Sequence, residues 1–376
     1  IKVAEELLVD LSAEDLDYGT DATTWINHGS LDDFAAMGTP VVEDVDGRKA
    51  VTFDGGSYFE GPASVPGIEG SGTHSIEIWA YNGSDFRAEE TMLSWAHRGG
   101  PDGTNIAFNY GNHGTWGAVG HWGSPDMGWS GEHAPAPAAD TWWHLAYTYD
   151  GATNRLYVNG EENTVEDMAL NLHGGTPIRV AAQADGSGNG ADAAFNFTGS
   201  IAEVRIHDGV LSAADVMYNF AGPIQDPAPA NGAENVADIL LSWTYIDATP
   251  DTTYTVHFGS NPDMMMPLAT SNAELALGMV GSPLAPFDTT MYWKVVASDG
   301  VEGHLLSFQT EHDRPQFDRL EGAFQPQSVA LAVGEEGSLT CNAVTFTGAD
   351  VSYQWFMVNP DGDDWPVDGA TESMLT

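Results

Sequence analysis

Between residues 113 and 129 the chain sets three tryptophans and two histidines among glycines: His113-Gly114-Thr115-Trp116, His121-Trp122 and Met127-Gly128-Trp129. A flat indole face beside a hydrogen-bonding group is what a sugar ring stacks on, and aromatics displayed on loops carry recognition. His113, Trp116, His121, Trp122 and Trp129 are therefore the candidate glycan-binding residues. The competing arrangement folds the same tryptophans back over a core as a lid. A second chemistry is cation binding. Asp54 follows the run Val51-Thr52-Phe53 and precedes Gly55 and Gly56, a place where a loop can turn its carbonyls onto a calcium ion. The competing role for Asp54 is a turn acid bonded to its own backbone. Asp185 and Asp192 flank another oxygen-rich loop, Gly186-Ser187-Gly188-Asn189-Gly190, whose spacing departs from the calcium-loop pattern D-x-[DN]-x-[DN]-G.

Catalytic constellations are missing. The sequence holds no E-x-D-x-x-E strand pattern, no G-x-S-x-G, no H-E-x-x-H and no glycine-rich phosphate loop. His74, His144 and His207 stand singly in β-type runs, without metal-ligand spacing. The chain is thus expected not to be an enzyme. A hydrolase would need two carboxylates flanking a cleft.

Composition narrows the partners. Asp and Glu number 55 against 11 Lys and Arg, a formal charge of −44. Such a chain repels phosphate backbones and anionic membrane surfaces. It attracts cations, calcium first among them, and the bulk of the acid serves as a solubility coat suited to salty water. Aromatic residues make up 10% of the chain, ample material for β cores. Cys341 is the only cysteine, so no disulfide can close within these residues.

The elements that must carry these groups are short strands. Alternating runs fall at Lys49–Phe53, His74–Tyr81, Thr91–Trp95, Trp142–Tyr149, Asn154–Val158, Pro177–Ala182 and Ser200–His207. Asn159-Gly160 reads as a tight hairpin turn. Ser212 and Asp215 form a capping box for one short helix. Residues 1–223 make one β-rich unit, and the Pro-rich stretch around Pro223–Ala230 links it to a second over 224–312. A third unit, 313–376, has too few strands to close a sandwich and is expected to be incomplete.

These runs carry a resemblance. Val51-Thr52-Phe53-Asp54-Gly55-Gly56-Ser57-Tyr58-Phe59, His74-Ser75-Ile76-Glu77-Ile78-Trp79-Ala80, the block from Trp142-Trp143-His144 to Asn159-Gly160, and Phe197-Thr198-Gly199-Ser200-Ile201-Ala202-Glu203-Val204-Arg205-Ile206 follow one another in order. Together they resemble the laminin-G-like, concanavalin A-like lectin/glucanase domains of bacterial surface and secreted proteins. The resemblance implies an all-β fold, a two-sheet jelly-roll sandwich followed by smaller β-sandwich modules. It also implies a structural calcium at a sheet rim, with Asp54 and Glu203 as its candidate ligands. The family pattern more often reads Asp-Glu where this chain has Ala202-Glu203, which removes one oxygen ligand, and a solvated strand residue is the competing role for Glu203. Residues 224–312 resemble a fibronectin type III-like module. Residues 313–376 resemble the N-terminal part of an immunoglobulin-like domain, with Cys341 and Trp355 on its early strands.

The first reading of function is a non-catalytic extracellular or cell-surface modular protein for adhesion, surface-layer or filament assembly. Its partner would be an extracellular glycan or surface protein, with self-association as a further option. The second is a calcium-dependent carbohydrate-binding accessory region of a larger secreted polysaccharide-active protein.

Overall fold

The computed structural model describes residues 1–20, 22–83, 87–123, 126–312, 316–317, 338–340, 343–344, 351–358 and 364–375. Two compact units divide the chain, Ile1–Gly222 and Pro223–Thr376. Among the described residues both are built of β-strands, with one α-helix and short 3-10 turns.

In the first unit the strands are β1 (Leu7–Ser12), β2 (Thr24–Trp25), β3 (Phe34–Met37), β4 (Val41–Val45), β5 (Arg48–Thr52), β6 (Tyr58–Ala63), β7 (His74–Tyr81) and β8 (Thr91–Ala96). They continue with β9 (Asn105–Asn109), β10 (Val119–Gly120), β11 (Trp142–Tyr149), β12 (Thr153–Val158), β13 (Glu161–Asp167), β14 (Pro177–Val180) and β15 (Ser200–His207). One sheet runs β13-β12-β11-β7-β15-β5-β4, with β1 also on β15, and the other runs β10-β9-β8-β14-β6-β3-β2. Neighbours within each sheet pair antiparallel, as β11 does with β7 from Trp142 opposite Tyr81 to Tyr149 opposite His74. The period-2 pattern explains the two-sheet form. Ile76, Ile78, Leu145 and Tyr147 from the first sheet share one buried core with Trp95, Ile106, Phe108 and Phe59 from the second.

Turn chemistry sets the strand ends. Asn159 (φ 49°) and Gly160 (φ 83°) both adopt the left-handed region that a two-residue hairpin requires. The run expected to extend to Ala182 leaves the sheet after Val180, because Ala181 turns to φ 66°. Helix α1 (Ala213–Ala221) begins at Ser212, whose hydroxyl accepts from the Asp215 amide while the Asp215 carboxylate accepts from the Ser212 amide. It covers the outer face of the first sheet, where Leu211 and Val216 pack on Ala146 and Tyr157.

The second unit builds a smaller sandwich. One sheet comprises β16 (Ile224–Ala228), β18 (Asp238–Tyr245) and β21 (Glu274–Met279). The facing sheet runs β17 (Ala233–Val236), β23 (Leu306–Thr310), β22 (Thr290–Ala297), β19 (Tyr254–Gly259) and β20 (Met266–Thr270). Ile239, Leu241 and Trp243 meet Val256, Trp293 and Phe308 in its core. Much of the span expected to be immunoglobulin-like, Cys341 included, lies outside the described residues. Among the described residues no helix is long and apolar enough to cross a membrane.

Candidate functional site

Strand β9 sets the floor of a cavity in the first unit. Ile106 and Phe108 point into the core, so Asn105, Ala107 and Asn109 project from the opposite face of the sheet. Gly120 of β10 stands opposite Ala107. The small pair keeps the floor low: a Cβ on Gly120 would come within 3.8 Å of the Ala107 Cβ. The resulting cavity is about 510 Å³ and is lined by Asn105, Gly120, Trp116, Trp122, Gly123 and Asp126, with Glu89, Arg98 and Gln183 completing it. That volume falls within the range of small-ligand pockets.

Two loops bring the tryptophans to its rim. Trp116 is 42% and Trp122 38% exposed, large values for indoles. The Asn109 side-chain amide donates to the Trp116 carbonyl at 3.0 Å, and the Trp129 indole anchors the same loop by donating to the Tyr110 carbonyl at 2.8 Å. Gly128 permits the closure, since a Cβ there would sit 1.6 Å from the Gly114 oxygen. Trp122 holds φ 71° and Gly123 φ 75°. A left-handed bulky residue costs about 1–3 kcal/mol and persists only where its surroundings impose it. Here the His121 amide donates to Asp126 Oδ1 at 2.6 Å, and the Trp122 carbonyl accepts from the Gly103 amide at 3.1 Å.

The polar lining is unevenly satisfied. Asn105 and Gln183 are each only 2% exposed. The Asn105 amide nitrogen donates to the Gly120 carbonyl at 3.0 Å. The amide oxygens of both residues lack a protein hydrogen bond and are closed to solvent, a costly state that a donor brought within reach would relieve. Burial pushes the Asp126 carboxyl up to about 6, against the pull of the His121 and Trp122 amides; the nearby Glu89 and Asp102 charges push the same way. Burial also raises Glu89, opposed by Arg98 and His113. The Arg98 guanidinium is itself engaged, 2.9 Å from Asp192 and 4.1 Å above the Phe195 ring.

The sequence candidates separate into three groups. Trp116 and Trp122 line the cavity. His113 stacks on Trp116 with ring centroids 4.0 Å apart and so backs the indole from outside the lining. Trp129 and His121 are buried, at 3% and 0% exposure. Trp129 packs beside Phe108, and the His121 ring meets the Tyr147 hydroxyl at 3.1 Å. Both are packed inside the unit and neither is among the lining residues of the cavity.

Asp54 and Glu203 are not brought together as the expected calcium ligands. In the antiparallel pair β5–β15 Ser200 stands opposite Thr52, so Asp54 runs off one end while Glu203 lies three residues toward the other. Asp54 Oδ1 accepts from the Gly56 amide at 2.8 Å and from the Ser57 amide at 3.0 Å, which lowers its carboxyl. Glu203 pairs with Arg205 at 2.7 Å and with Arg48 at 4.0 Å. Two residues so placed, one beside cations, do not fit a shared ion. The Asp185–Asp192 loop is likewise closed on itself, Asp185 Oδ1 accepting from the Ser187 amide at 2.8 Å. Among the described residues no group of three His, Cys, Asp or Glu side chains could hold a metal.

No curated protein matches the chain. Similar solved structures include domain 4 of AbnA, a GH43 extracellular arabinanase from Geobacillus stearothermophilus, in complex with arabinotriose. It is 19% identical, spans 58% of this chain and 100% of that one, and has a TM-score of 0.42. The binding domain of botulinum neurotoxin DC in complex with rat synaptotagmin II is 8% identical over 90% of this chain and 78% of its own, with a TM-score of 0.38. A Trypanosoma rangeli sialidase in complex with the inhibitor DANA is 13% identical over 57% of this chain and 32% of its own, with a TM-score of 0.39. The family description "Concanavalin A-like lectin/glucanases superfamily" matches residues 53–217, which takes in every strand of the cavity floor. Residues 53–217 are a concanavalin A-like lectin/glucanase domain, related to laminin G.

Proposed function

We propose that this protein is a non-catalytic carbohydrate-binding module acting outside the cell, with the cavity over β9 and β10 as its sugar site. One observation carries the reading: two exposed indoles flank a cavity whose buried Asn105 and Gln183 oxygens have no protein partner. Indole faces take the apolar faces of a sugar ring, and the amide oxygens accept from its hydroxyls. The family match supports the same reading. Carbohydrate binding therefore takes precedence over adhesion or filament assembly, for which the described residues offer no comparable feature. An accessory role within a larger secreted polysaccharide-active protein accords with it. No part of the reading runs through calcium, because Asp54 and Glu203 do not fit a shared ion.

A second reading has one observation in its favour. Glu89 and Asp126 line one cavity, and burial raises both, as it does for carboxyls that work as acid and base. Both readings meet in a single experiment: the intact chain is titrated with a polysaccharide panel, with calcium and after chelation, while reducing ends are assayed. The proposal expects saturable binding that survives chelation and releases no product. Product release abolished by Asp126→Asn would establish the hydrolase instead, and binding lost on chelation would restore a calcium-dependent site.

A further inference from the structure

We propose that the cavity selects sugars bearing a positive charge, amino sugars, over neutral and acidic ones; this rests on the carbohydrate-binding reading above. Glu89 and Asp126 line the cavity beside Asn105 and Gln183, whose buried amide oxygens have no protein partner. The Glu89 carboxylate has no hydrogen bond or ion pair among the described residues, its carbonyl alone accepting from the Thr91 hydroxyl at 3.2 Å, whereas the Asp126 carboxylate accepts from the His121 amide at 2.6 Å. The one cation of the lining among the described residues, Arg98, is paired with Asp192 at 2.9 Å.

The surplus is thus acceptors and negative charge. An ammonium group brings three donors and no acceptor, the complement of such a lining. A carboxylated or sulfated sugar would add its charge to Glu89, Asp126 and the adjacent Asp102, a repulsion that the single Arg98, already paired with Asp192, offsets only in part. The tryptophans still supply the stacking faces, so the carboxylates set which sugar is chosen rather than whether one binds.

The charge also fixes the pH dependence. Asp126 titrates near 6, facing Glu89 and Asp102, while Glu89 faces Arg98 and His113. Above that pH the carboxylate is ionised and attracts the ammonium group; as pH falls through it the attraction fades. At the alkaline end the sugar amine loses its proton, so the preference has a bell-shaped profile.

The test is calorimetric titration of the intact chain with a chitosan oligosaccharide and with its fully N-acetylated counterpart, which share a backbone and differ in charge. The amino form is expected to bind about tenfold more tightly near neutral pH, equivalent to ~1.4 kcal/mol. Glu89→Gln should erase most of that difference, and Asp126→Asn should remove the acidic limb of the profile. Equal affinity for the two forms would overturn the inference and leave sugar binding intact. A preference that persists in both carboxyl variants, or undiminished affinity for the amino form in the Trp116→Ala/Trp122→Ala double variant, would overturn it in favour of unspecific attraction to an acidic surface. If neither oligosaccharide nor any other glycan binds the folded chain, the underlying reading fails as well.

Discussion

Trp122→Ala is expected to weaken glycan binding about thirtyfold, ~2 kcal/mol, the loss typical of a tryptophan anchor. Trp122→Gly should weaken it equally. Stability should then separate the two variants in an unusual order. Trp122 holds φ 71°, so alanine inherits the left-handed strain and glycine is relieved of it, by roughly 1 kcal/mol. In an ordinary strand or helix the same exchange favours alanine. Thermal unfolding of both variants beside the native chain reads this difference. Alanine more stable than glycine would show that the loop relaxes, and that the indole is not held at the rim by its backbone.

The second large effect concerns the opposite sheet. Glu77, His144 and His207 lie on neighbouring strands and project from the outer face of the first sheet, beneath α1, at 1%, 0% and 0% exposure. Glu77 Oε2 accepts from His207 Nε2 at 3.1 Å and from the Asn219 side-chain amide at 2.9 Å. His207 Nδ1 accepts the Ala4 amide, which leaves the ring proton on Nε2. His144 Nε2 approaches Oε1 at 3.4 Å outside hydrogen-bond alignment, the weaker of the two imidazole contacts. Burial alone would push the Glu77 carboxyl up, yet the two histidines outweigh it and bring it down to about 2.

A carboxyl lowered in the fold contributes stability above its unfolded value and loses it as pH falls through the folded one. The window here runs from about 4.5 down to about 2. Glu77→Gln should cost about 3 kcal/mol at neutral pH, a drop of roughly 6–12 °C in the melting temperature of a domain this size. At pH 2 the gap to the native chain should largely close. A gap unchanged at acid pH would mean that packing under α1, and not the carboxylate charge, is what the substitution disturbs.

The sandwich was legible because its signals are local. Period-2 runs at His74–Tyr81 and Ser200–His207 coincide with strands, since alternation is a property of neighbours in sequence. Trp116 and Trp122 were legible as exposed aromatics in a glycine-rich stretch. Trp129 shows the limit of that signal: it shares the same composition, and only the acceptor at Tyr110 and the space beside Phe108 draw it inside. The remaining lining could not be read from the chain. Glu89, Arg98, Asn105 and Gln183 come from separate segments, and their convergence depends on β8, β9 and β14 lying side by side. Strand β9, Asn105–Asn109, alternates over only five residues, too short a run to stand out in its glycine-rich surroundings, yet it forms the floor. For Asp54 and Glu203, the strand register rather than the residue types decided whether the two could meet.

The most direct test of the account follows the indole N–H signals of the 12 tryptophans by nuclear magnetic resonance while a bound glycan is titrated in. The account predicts that the Trp116 and Trp122 resonances shift with saturation, while those of the buried Trp25, Trp95 and Trp293 stay in place. Saturable shifts confined to other tryptophans, with Trp116 and Trp122 unmoved, would place the sugar elsewhere and contradict it.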